Sequence, residues 1–73
     1  MDMDDIIRKT LNKFYQNWLI GFGEHNQNYM DTTDRYVREH LEVLLPDEKE
    51  RQGYLDYYEG LKQEQTKDDV QSQ

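Results

Sequence analysis

Asp4-Asp5-Ile6-Ile7-Arg8-Lys9-Thr10-Leu11-Asn12-Lys13-Phe14-Tyr15-Gln16-Asn17-Trp18-Leu19-Ile20 is the stretch that decides the fold class of this chain. Ile7, Leu11, Phe14 and Trp18 fall at i, i+4, i+7 and i+11, which places them on one face of an α-helix. Tyr15, Leu19 and Phe22 widen that stripe. Asp2, Asp4 and Asp5 stand where the positive end of a helix dipole favours carboxylates. Gly21 and Gly23 mark the expected end, because glycine takes the left-handed cap conformation at no steric cost.

Working outward, Gly23–Met30 shows no period and is rich in turn formers, so a loop is expected there. Asp31-Thr32-Thr33-Asp34 then supplies capping side chains for a second helix. Its stripe is Val37, Leu41 and Leu44, with His40 and Leu45 beside it. Arg35–Glu39 and Arg38–Glu42 have the spacing of ion pairs along a helix. Pro46 ends this element, since the residue before a proline is pushed out of helical geometry. A third helix opens at Asp47, which can cap it, with Glu50 in the capping-box position. Tyr54, Tyr58 and Leu61 form its stripe, flanked by Leu55 and Tyr57.

Two features leave this third element open at the level of sequence. Gly53 and Gly60 each cost about 1 kcal/mol in a helix interior, and their seven-residue spacing fits either close approach of another helix or simple tolerance. Tyrosine also favours strands, so a short extended segment over Tyr54–Tyr58 is the alternative. Beyond Leu61 only Val70 is apolar. The expected organisation is one small helical domain over residues 1–61 and a polar, frayed tail over 62–73.

The fold class that follows is all-α: a small three-helix bundle, or a helical hairpin plus a third helix. Its core would be Ile7, Leu11, Phe14, Trp18, Val37, Leu41, Leu44, Leu55, Tyr58 and Leu61. That core is thin for a chain of 73 residues with no cysteine, because small domains bury too little surface to be more than marginal without a staple. With disulfides and thiolate zinc sites excluded, a homodimer in which tyrosine-rich faces complete the core is the expected remedy.

Composition points the same way. Apolar and charged residues each make up 34% of the chain, against roughly 45–50% and 25% in ordinary domains. Such values suggest disorder, but nine aromatic side chains argue for a folded centre. The acidic start Met1-Asp2-Met3-Asp4-Asp5 lacks the basic region of a signal peptide, and no apolar run has the length of a membrane span. A cytoplasmic location with no membrane contact is expected.

Catalytic and metal signatures are missing. Nucleophilic catalysis needs an activated hydroxyl or thiol beside a base, and the lone serine, Ser72, lies in the tail. Asp47/Glu50 and Asp56/Glu59 are close on a helix turn, but sixteen acids in so short a chain make such pairs by chance. Asp31-Thr32-Thr33-Asp34 lacks the alternating ligands of a calcium loop. His25 has the flanks of an exposed loop, and His40 those of a core or interface side chain. Gly21-Phe22-Gly23 is no phosphate loop. No enzymatic activity and no cofactor are expected. Direct nucleic-acid binding is disfavoured as well, because it requires clustered lysine or arginine.

Charge is the remaining signal. Residues 1–38 carry six acids and five bases, whereas residues 39–73 carry ten acids and four bases, within a net charge of −7. Such asymmetry concerns steering and partner choice. Asp47, Glu48, Glu50, Asp56, Glu59 and Glu64 would be spread around and along the third helix, and Tyr54 and Tyr57 among them are the residue type of interface hot spots. These eight are the candidate partner-binding residues. In size, acidity, aromatic content and lack of cysteine the chain resembles the small acidic proteins, many of them phage-encoded, that mimic DNA. Members of that functional class block uracil-DNA glycosylase, type I restriction enzymes, CRISPR nucleases or the replicative sliding clamp. The resemblance implies an inhibitor that covers the DNA-binding surface of a basic host protein such as a clamp, nuclease or polymerase. Nine bases dilute the charge relative to the most acidic mimics. The alternative is a helical adaptor or assembly protein that binds its partner through an aromatic apolar surface, with Tyr15, Trp18 and Phe22 as anchor.

Overall fold

The computed structural model describes residues 2–71, with side chains up to Thr66. Asp2 caps the first helix, its carboxylate accepting from the Asp4 N–H. α1 spans Met3–Gly23, α2 Gln27–Leu44 and α3 Glu48–Gln71, and no strand occurs among the described residues. The chain runs up, down and up. Gly21 sits against Tyr29 and Met30 in the α1–α2 hairpin. α3 lies parallel to α1, so that Asp4 meets Tyr54 and Asn12 meets Tyr57.

The first connection is much shorter than its turn-rich sequence suggests. Only Glu24, His25 and Asn26 separate α1 from α2. Asn26 is the cap of α2, its side chain accepting from the Tyr29 N–H at 3.1 Å. Gln27 donates to the Asp31 carboxylate across the first turn at 2.8 Å. The polar run is therefore cap and first turn rather than loop. Asp31–Asp34, expected as the cap, stands inside the helix, where Thr33 Oγ1 donates to the Tyr29 carbonyl at 3.0 Å.

Gly21 plays a part other than the expected helix end. Both Gly21 and Gly23 are helical, and among the described residues the one with positive φ is His25, at 56°. A Cβ on Gly21 would lie 2.9 Å from Tyr29 Cδ1, 3.0 Å from Met30 Cγ and 3.3 Å from the Asn26 carbonyl. Its missing side chain lets the start of α2 close against α1. Around Gly53 and Gly60, by contrast, a Cβ would meet nothing within 4 Å. Close approach within the bundle does not account for those two glycines.

Pro46 ends α2 as expected, and Arg51 secures the turn by donating from Nη1 to the Leu45 and Pro46 carbonyls at 3.2 and 3.5 Å. The core cluster is Ile7, Leu11, Val37, Leu41, Leu45 and Tyr58, with Phe14, Tyr15, Tyr54, Leu55 and Tyr57 half-buried around it. Leu45 replaces Leu44 at the lower end: Leu44 is 40% exposed and Leu45 only 9%. Leu45 is one turn beyond the fully buried Leu41, and its N–H still bonds to the Leu41 carbonyl at 2.8 Å.

α3 is helical throughout Tyr54–Tyr58, which removes the extended alternative. It also continues past Leu61 into the stretch expected to fray. Lys62 is the reason: its side chain is 11% exposed and its Nζ lies 3.0 Å from Asp34 on α2. Residues 72 and 73 of the expected tail lie outside the described residues.

Candidate partner-binding surface

α3 positions all but Asp47 of the residues singled out for partner contact, and it is held on the hairpin by its aromatic side. Tyr58 is buried and donates from its hydroxyl to Asp34 Oδ1 at 2.9 Å. The same oxygen takes Lys62 Nζ, which also pairs with Glu59 at 3.1 Å. The ammonium lies 4.9 Å from the Tyr58 ring centroid and 5.6 Å from that of Trp18, within cation–π range of both. Burial raises the Tyr58 phenol above its ordinary pKa, reinforced by the charge and hydrogen bond of Asp34 and by Glu59. Asp34 thus ties the second helix to the third through two donors.

Two further tyrosines bind α3 to α1. Tyr54 donates to Asp4 Oδ1. That hydrogen bond, with burial and the carboxylate charge, raises the Tyr54 pKa, and Arg8 opposes the rise. Tyr57 accepts from Asn12 Nδ2 at 2.9 Å, and the Arg8 guanidinium lies 5.4 Å from its ring centroid. Tyr54 and Tyr57 are half-buried in the bundle. Their rings serve first to mount the helix.

The six acids are all solvent-exposed. At 3.6 residues per turn they point in three directions. Glu50 flanks α1, lining a hollow of about 210 Å³ with Asp4, Arg8, Gly53, Tyr54 and Tyr57. Glu64, two heptads on, shares that flank. Glu48 flanks α2, in a groove of about 150 Å³ with Arg38, Glu42, Arg51, Gln52 and Leu55; Glu59 lies on the same flank, held by Lys62. Asp56 points outward and accepts from Gln52 at 3.0 Å. Asp47 precedes the helix, its carbonyl accepting from the Arg51 N–H at 3.1 Å. Glu50, Tyr54 and Tyr57 are therefore brought together, while Glu48, Asp56 and Glu59 stand apart from them.

The aromatic group at the end of α1 is largely internal. Trp18 is 7% exposed, stacked on Phe22 at 5.1 Å and on Tyr15 at 6.4 Å between centroids. Exposed apolar side chains lie elsewhere, on α1 at Met3, Ile6 and Ile20 and on α2 at Tyr29, Tyr36, Val43 and Leu44. Tyr36 and Val43 are 51% and 82% exposed. With Phe14, Glu39 and His40 they line an open groove of about 370 Å³. His40 is exposed, its ring 5.8 Å from Phe14. A sequence signal for this surface existed in the seven-residue spacing of Tyr29, Tyr36 and Val43, but the stronger Val37–Leu41 stripe on the same helix masked it.

Among the described residues no three histidine or acidic side chains converge as metal ligands, and no helix is long and apolar enough to cross a membrane. No family model, curated protein or solved structure matches the chain.

Proposed function

We propose that this chain is a small acidic inhibitor that mimics DNA and covers the DNA-contacting surface of a basic, DNA-handling protein such as a sliding clamp, nuclease or polymerase. The observation that carries this reading is the division of labour on α3. Tyr54, Tyr57, Tyr58 and Lys62 clamp the helix, while Glu48, Glu50, Asp56, Glu59 and Glu64 project into solvent from it. Carboxylates on a clamped helix are held at set spacings before contact, so less ordering free energy is lost when a partner binds. Glu48 to Glu64 covers about 24 Å of helix axis. Duplex DNA carries about fourteen charges over that length. Five carboxylates are a sparse version of that field, so the inhibitor acts by steering and steric cover rather than by replacing each phosphate.

The test is capture of partners from a bacterial lysate on tagged protein, with elution by salt or by duplex DNA. A DNA-handling protein released by both, and lost when Asp56→Lys, Glu59→Lys and Glu64→Lys are combined, supports the reading. Retention of that partner by the triple charge reversal, or binding indifferent to salt, overturns it and points to an apolar contact instead.

A further inference from the structure

We infer that the outer face of α2 is the interface of a homodimer, in which two copies pair their second helices antiparallel about a two-fold axis. The surface is built for a helix. Tyr29, Thr32, Tyr36, Glu39 and Val43 recur at alternating spacings of three and four, the a and d positions of a helix-pairing seam. They lie on the side of α2 opposite the buried Val37 and Leu41. Tyr29, Tyr36 and Val43 are 38%, 51% and 82% exposed, and Phe14 extends the apolar strip across to α1. Tyr36, Glu39 and Val43 stand clear of the bundle, while Tyr29 packs against Gly21 and Thr32 is half-buried at the hairpin end of the strip.

Charge identifies the occupant. Arg35 flanks the seam on one side and Glu42 on the same side one heptad later. Within the chain, Arg35 makes no ion pair with Glu39 among the described residues; its guanidinium lies 5.7 Å from the Tyr36 ring centroid. In an antiparallel pairing that sets Tyr36 opposite Glu39 of the second copy, Thr32 falls opposite its Val43 and Arg35 opposite its Glu42. Glu39, the one carboxylate in the seam, then lies next to Arg35 of the second copy. The two-fold axis repeats each pair, so four complementary contacts form from one helix sequence. A parallel pairing would place Glu39 against Glu39, which repel, and would turn Arg35 toward His40 of the second copy instead of a carboxylate. The arrangement leaves α3 free on both outer sides of the dimer. It is independent of what the carboxylates of α3 bind.

Sedimentation equilibrium of the whole chain, from micromolar to submillimolar concentration, tests the dimer. The wild type should dimerise, and Val43→Glu should weaken association at least tenfold without loss of helical circular dichroism, since Val43 is exposed in the monomer. In a Glu39→Gln background, which removes the neighbouring carboxylate, Arg35→Glu alone and Glu42→Arg alone should each weaken association, and the two together should restore it. The cysteine-free chain also permits a geometric check. Positions 39 of the two copies are offset by about 4.5 Å along the axis and positions 32 by about 16 Å. Glu39→Cys should therefore form a disulfide-linked dimer on oxidation, and Thr32→Cys should not. A chain that stays monomeric at every concentration, a charge swap that fails to restore association, or efficient crosslinking through position 32 each overturns the inference. The first of these would leave the strip to a different protein.

Discussion

Asp34→Ala is the substitution that most directly challenges the account of how α3 is held. In the native chain one carboxylate oxygen accepts from Tyr58 at 2.9 Å and from Lys62 at 3.0 Å. Removing it leaves a buried phenol without that acceptor and a mostly buried ammonium with Glu59 as its remaining ion-pair partner. A hydrogen bond to a charged group contributes about 1.5–3 kcal/mol. Glu59 is a half-exposed partner one turn away, of the kind worth about 0.2–0.5 kcal/mol. A loss of about 3 kcal/mol is expected. For a domain of this length total stability is on the order of 4–11 kcal/mol, so the variant loses between about a quarter and three quarters of it. The melting midpoint should fall by about 12–24 °C, taking about 4–8 °C per kcal/mol. Urea unfolding followed by circular dichroism measures the change directly, with Asp56→Ala as an exposed control expected within about 0.5 kcal/mol of wild type. A chain ending at residue 61 lacks Lys62 and should also be destabilised. If Asp34→Ala matched the Asp56→Ala control, the Asp34–Tyr58–Lys62 cluster would not hold the helix, and the reasoning would fail.

The glycines supply a contrast of sign. Gly53→Ala and Gly60→Ala should each stabilise by about 0.5–1 kcal/mol, since the added methyl meets open space in a helix interior; a lower melting temperature would show that something packs there. Gly21→Ala should destabilise by about 1–2 kcal/mol, because overpacking against Tyr29 and Met30 outweighs the gain in helix propensity, and an unchanged urea midpoint would refute the close approach. His25→Gly should raise stability by about 1 kcal/mol by relieving a left-handed conformation, with a drop in midpoint counting against that strain. Stability should also fall as pH rises above about 10. The unfolded chain then releases its tyrosine protons while folded Tyr58 and Tyr54 retain theirs, so the native state binds more protons and stability is lost as pH rises. Urea midpoints that stay level from pH 8 to 11 would contradict this.

The pattern of apolar residues carried three helices and most of the core, because a stripe at helical spacing can be buried in only one way. Ile7, Leu11, Val37, Leu41 and Tyr58 were legible for that reason, as was the break at Pro46. Sequence and structure part company where one residue type serves two purposes. Asn26, Gln27 and Asn28 are turn formers by composition, yet one caps α2 and the others begin it. Gly21 looked like a helix end because glycine often is one, whereas here the absence of a Cβ serves packing across the hairpin.

Charge shows the same division more plainly. The sequence by itself determined how many carboxylates the chain has and that most follow residue 38. Which of them face solvent, which are neutralised and which hold the fold are matters of position in three dimensions. Asp34 and Lys62 are distant in sequence and look like ordinary surface charges, but antiparallel packing of α2 and α3 makes them a mostly buried pair. Tyr54 and Tyr57 looked like contact residues and are spent on the bundle, while Tyr36 and Val43 are left on the outside. Local periodicity determines which side of a helix is apolar. Only the packing of helices decides which apolar side is covered and which carboxylates remain free for a partner.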